Sequence, residues 1–177
     1  MIFSISSCII SGVRPEKEGT VAVMGYGVDC YKPIFALEQM RRIRKYFGKS
    51  TYNPLIHFII CFDECVMNKD EACNYTREIV TELAKKFQMC IAIHEKDRDY
   101  AHYHAHVVMN AVSYKDGKLF HSGFAELNEI SRKVSDVTGR YCRLVIEKNK
   151  KQDEKKRFKK EDLEYLCEYY HEFIYQE

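Results

Sequence analysis

The sequence has no C-x-x-C pair, no apolar run near the ~20 residues a membrane helix needs, no internal repeat and little net charge. Each absence narrows the field. Eight cysteines invite a metal or disulfide framework, but only Cys61 and Cys65 have zinc-like spacing, and no second pair completes four ligands. Reduced, mostly buried thiols are expected instead. The apolar stretch Ile2–Ile10 is short, holds Ser4, Ser6 and Ser7, and lacks a basic leader, so it reads as a strand and not a signal peptide. A cytoplasmic location with no membrane partner follows as the expectation. The 177 residues are 46% hydrophobic and 31% charged, which suits a soluble globular domain and disfavours disorder.

The formal charge of +2 argues at first against a polyanionic partner. Residues 161–177, however, hold six acids and no Lys or Arg, which leaves 28 basic against 20 acidic residues, +8, in 1–160. Two basic clusters stand out there: Arg41, Arg42, Arg44, Lys45 and Lys49, and the run Lys148–Lys160. Each reads either as a solvated face or as a phosphate-binding surface.

Periodicity predicts strands over Phe3–Ile10 and Thr20–Met24, and a helix from Pro33 with Ile34, Leu37, Met40, Ile43 and Phe47 on one side. After the break at Asn53-Pro54 come a strand over Leu55–Phe62 and a helix over Lys69–Phe87, opened by Asn68 and Glu71 in capping-box spacing. Strands over Met89–His94 and His102–Ser113 flank a charged turn, and Lys115-Asp116-Gly117-Lys118 is a tight turn leading into Leu119-Phe120. A helix over Phe124–Thr138 ends at Gly139, and Tyr141–Ile146 is a last strand. The order predicts an α+β fold, a mostly antiparallel sheet with helices packed on one face. It forms one domain over 1–147, followed by a charged linker and an amphipathic helix (Asp162–Tyr175) within 148–177.

Four of the seven histidines, His94, His102, His104 and His106, fall within thirteen residues. Strand alternation puts His102, His104 and His106 on one face, and pairing across the turn puts His94 beside them. Neutral imidazoles converging on one patch suit a divalent metal, and three of them leave positions open for water or substrate. His57, inside an apolar strand, reads as a buried, hydrogen-bonded histidine.

The stretch His94-Glu95-Lys96-Asp97 … His102-Tyr103-His104-Ala105-His106-Val107-Val108-Met109-Asn110 resembles the metal motif of the relaxases, or mobilisation nucleases. Its pattern is a histidine, nearby acids, histidine–x–histidine, and an asparagine four residues on. Leu55–Phe62, Ala111–Lys118 with Phe120-His121, and Gly25–Cys30 are similar to segments around that motif, so the likeness covers roughly 22–146. The resemblance implies a relaxase-like nuclease fold that binds single-stranded DNA at a nick site of a mobile element's transfer origin. It also implies a divalent ion, Mn²⁺ or Mg²⁺, and allows accessory mobilisation proteins as further partners. Anchored on Asn110, it makes His94, His104 and His106 the ligands, with His102 beside the site. The turn before His104 is about three residues longer than the common pattern, so a His94, His102, His104 set stays open. Glu95, Asp97 or Asn110 would orient the ligands, and Arg41, Arg42, Arg44 and Lys45 would contact DNA.

In such nucleases a tyrosine hydroxyl attacks the phosphodiester and keeps a 5′-phosphotyrosine link. That tyrosine normally lies near the N-terminus, yet Met1–Met24 contains none. Tyr26 and Tyr31 are the nearest candidates, and Tyr26 is preferred because Gly25 and Gly27 flank it. Two other readings compete: a non-catalytic single-stranded DNA-binding module derived from the fold, and a cupin-type metalloenzyme. The cupin pattern wants an acid shortly after the histidine pair, and residues 107–112 contain none.

Overall fold

The computed structural model describes residues 2–5, 19–49, 55–64, 66–95 and 103–146, all within the segment 1–147. Asn53-Pro54, Asp97, His102, the run Lys148–Lys160 and the helix expected over Asp162–Tyr175 lie outside the described residues. The elements run β1 (Ile2–Ile5), β2 (Thr20–Tyr26), α1 (Pro33–Tyr46), β3 (Leu55–Cys61), α2 (Lys69–Ala84), β4 (Met89–Glu95), β5 (Tyr103–Asn110), α3 (Phe124–Thr138) and β6 (Arg143–Ile146). Among the described residues, one sheet holds these six strands in the order β2-β4-β5-β3-β1-β6. Every pairing is antiparallel except β1 with β6. The α+β class and the mostly antiparallel sheet are therefore as expected.

The helices begin and end where local chemistry dictates. Asn68 caps α2 by accepting from the Glu71 amide (2.9 Å), and the Glu71 carboxylate reaches back to the Met67 amide (3.2 Å). Asp70 and Glu71 in the first turn complement the helix dipole. Gly139 ends α3 in the left-handed conformation (φ 67°) that a side chain disfavours. Pro33 starts α1, its fixed φ already helical.

Alternation along the central strands builds two different faces. Met89, Ile91 and Ile93 of β4, Tyr103, Ala105, Val107 and Met109 of β5, and Phe58 and Ile60 of β3 form one buried cluster. The apolar stripes of α2 (Ala72, Ile79, Val80) and α3 (Leu127, Ile130, Val134) close over it. The opposite face is covered in part by α1, whose Ala36 and Met40 pack on Leu55, Cys90, Ala92 and Val108. The expectation of helices on one face holds for α2 and α3 and fails for α1. The α1 stripe also differs from the predicted one: Ile34 is exposed, and Ala36 takes its place against the sheet. Among the described residues no helix is long and apolar enough to cross a membrane.

Candidate metal centre

The face shared with α1 carries the histidines, at the end of the strands that α1 leaves open. His94 lies opposite His104, and Ala92 opposite His106, across the β4–β5 pair. Because both pairs join even-numbered positions, the three imidazoles leave the sheet on the same side. Their rings stand 4.8 to 5.2 Å apart between centroids. His94 is buried, whereas His104 and His106 are half-buried, so the cluster has a dry floor and an approachable rim. At the neighbouring edge strand, the β2–β4 register shifts between Thr20 and Ala22, next to His94. Such irregularities re-aim side chains beside sites.

A fourth histidine comes from β3. His57 is buried, and its Nε2 lies 3.0 Å from Nδ1 of His106, with the two rings nearly parallel (7°). The register explains the contact. Ile59 is opposite His106 and His57 is opposite Val108, so His57 and His106 are diagonal neighbours on one face. One nitrogen of that pair must carry the proton and the other must accept it. With the proton on His106 Nδ1, His106 Nε2 keeps a lone pair for an ion.

The geometry admits a metal. One nitrogen each from His94, His104 and His106 lie within 4.8 Å of one another. Two nitrogens bound at ~2.1 Å to one ion stand at most about 4.2 Å apart, so small ring rotations suffice. Three like rings on one patch repel when protonated, and an ion shared by neutral imidazoles relieves that repulsion.

Several residues expected at the site stand elsewhere. Tyr26 ends β2 opposite Met89, five residues along β4 from His94, about 17 Å at 3.4 Å per residue. It packs into the α2/α3 cluster on the far face of the sheet. Burial also pushes its hydroxyl pKa up, against a lowering influence from Arg77. The glycine before it serves packing: a Cβ on Gly25 would meet the Val28 carbonyl at 2.7 Å and Cys30 Sγ at 2.9 Å. Tyr26 is thus not placed to attack a phosphate at the histidines. Tyr31 follows Cys30 at this same end of β2.

Glu95 also fails as a partner for the histidines. It is opposite Tyr103, and its carboxylate accepts from the Tyr103 hydroxyl (3.1 Å), whose ring belongs to the α2/α3 cluster. Alternation puts Glu95 on the other face from His94. Asn110 shares the histidine face but sits four residues from His106, where its amide donates to Met40 O (3.1 Å) and Gln88 Oε1 (3.0 Å). It anchors α1 and does not orient a ligand. Arg44 donates to Asn110 Oδ1 (3.4 Å), and burial lowers its pKa. Arg41 and Arg42 are exposed and both pair with Glu38 (3.4 Å), and Lys45 is exposed. Asp97 and His102 lie outside the described residues.

A family model described as "Relaxase: MobA/VirD2-like, nuclease domain" matches residues 12–142. Searches of curated proteins and of solved structures give no match.

Proposed function

The chain belongs to the MobA/VirD2-like relaxases, carrying their nuclease domain over residues 12–142, and on that premise we propose that it nicks and rejoins single-stranded DNA at the transfer origin of a mobile element. The observation that carries the proposal is the convergence of His94, His104 and His106 on one open face. These three side chains would hold the ion, and His57, as acceptor for the proton on His106 Nδ1, would then fix the His106 ring and tautomer. Nitrogen donors favour Mn²⁺ over Mg²⁺, which prefers oxygen. When bound, the ion supplies Lewis-acid polarisation of a non-bridging phosphate oxygen.

The attacking hydroxyl belongs to a tyrosine other than Tyr26. Its oxygen forms a bond to phosphorus as the bond to the 3′ oxygen breaks, its proton is given up, and a 3′-hydroxyl departs. One phosphodiester replaces another, so the reverse step reseals the strand. The domain works in the cytoplasm, where accessory mobilisation proteins present the nick site.

A second reading is a single-stranded DNA-binding domain that has lost nicking. It is favoured by the far-face position of Tyr26 together with the absence of tyrosine in Met1–Met24. Incubation with Mn²⁺ and a panel of labelled single-stranded oligonucleotides, run on a denaturing gel, separates the two. A protein-linked DNA band is expected, and peptide mapping of it identifies the tyrosine. DNA binding without any adduct would establish the second reading.

A further inference from the structure

Helix α1 carries an unusual outer surface for a helix of this length. Residues 31–49 contain six basic side chains (Lys32, Arg41, Arg42, Arg44, Lys45, Lys49) against one acid, Glu38. The same segment exposes three aromatic rings: Tyr31 at 71%, Phe35 at 51% and Tyr46 at 82%. With 100° per residue, Ala36 and Met40 point to the sheet, while Phe35, Arg42 and Tyr46 run along the outward side. Tyr31 lies in the turn just before the helix and is exposed beside its N-terminus. Aromatic and cationic groups therefore alternate along a stripe of about 16 Å from Phe35 to Tyr46.

Two contacts hold Phe35 and Tyr46 in place. Lys32 Nζ stands 5.6 Å from the Phe35 ring centre, so a cation sits beside that ring. Tyr46 rests edge-on against Phe47 (4.9 Å), and a Cβ on Gly117 would collide with the Phe47 ring, so the turn closes tightly behind it.

We propose that the outer stripe of α1 is a stacking track for single-stranded DNA, with Tyr31, Phe35 and Tyr46 taking unpaired bases and Arg42 and Lys45 taking the phosphates between them. The proposal rests on the relaxase reading above and deepens it by naming where the strand runs. A duplex hides its base faces in the stack but presents the same phosphates, so the cations alone would suit either form; the rings select the single strand. Because α1 lies on the histidine face, a strand held at the histidines reaches the stripe without crossing the sheet.

The test compares the full chain with the Tyr31→Ala/Phe35→Ala/Tyr46→Ala variant by fluorescence anisotropy. The probes are a labelled oligothymidylate, an abasic oligomer of equal length, and a duplex. The sites are exposed, and a matching thermal melt checks the fold. The variant is expected to bind oligothymidylate about 10- to 1,000-fold more weakly, with abasic and duplex affinity and the salt slope unchanged. Equal oligothymidylate binding by variant and wild type would overturn the track while leaving the relaxase reading intact. So would an equal loss on the abasic oligomer. A wild-type chain that binds none of the probes would overturn both.

Discussion

Strands β4 and β5 present two faces built from the same backbone, one residue out of phase. Ile91, Ile93, Ala105 and Val107 are wholly buried beneath α2 and α3. Their neighbours Ala92, His94, His104 and His106 belong to the other face, where α1 covers one end and the imidazoles occupy the other. One face is apolar, dry and closed, and its task is stability. The other gives up part of its apolar cover to hold a cluster of polar rings at an approachable rim. The contrast teaches that the site's rigidity is inherited: each histidine is fixed by a neighbour one residue away that is locked in the core.

The sharpest way to break this contrast is a charge on the closed face. Val107→Asp should abolish cooperative folding, a loss above roughly 4 kcal/mol, because the carboxylate has no partner there. His106→Ala, one residue away, should cost only about 1–3 kcal/mol, the loss of its hydrogen bond to buried His57, and thermal melts of the two variants measure the difference. Cavity formation comes next. Ile91→Ala should cost about 2–5 kcal/mol in denaturant unfolding and leave the metal stoichiometry unchanged.

Smaller effects belong to the histidine face. His57→Phe should weaken Mn²⁺ affinity about 10- to 100-fold, and His57→Gln, which retains an acceptor, should restore part of it. Equal affinity in His57→Phe would deny His57 any positioning role. The smallest effect contrasts the two ends of this face. Burial, with Cys30 and Asp29 nearby, pushes the Cys90 thiol up to about 12, so it carries almost no thiolate at pH 8. Cys61, opposite His104 and half-buried, should therefore be alkylated before Cys90 in the native protein, as mass spectrometry of a time course would show.

Much of this was legible in the sequence because it follows from local rules. Helix α3 occupies Phe124–Thr138 as its stripe and Gly139 predict, and the Asn68–Glu71 cap opens α2. The common face of His104 and His106 follows from the two-residue period of a strand, and the turn folds His94 back opposite His104. Where sequence fell short, the deciding fact was long-range. Whether α1 crosses above or below the sheet depends on how the chain passes from β2 to β3, and no periodicity encodes that. His57 joins the cluster only through the β3–β5 register, which a single strand does not reveal. The Tyr26 placement needed the β2–β4 register for the same reason. Glu95 is a different case: its odd parity relative to His94 puts it on the other face, so alternation overrides nearness in sequence.

The proposed function stands or falls on whether His94, His104 and His106 bind one ion together. Calorimetric titration of Mn²⁺ into the metal-stripped wild type and a folded His104→Ala/His106→Ala variant tests it most directly. Saturable binding of one ion per chain in the wild type, and none in the variant, is the predicted result; equally tight binding by the variant would contradict it.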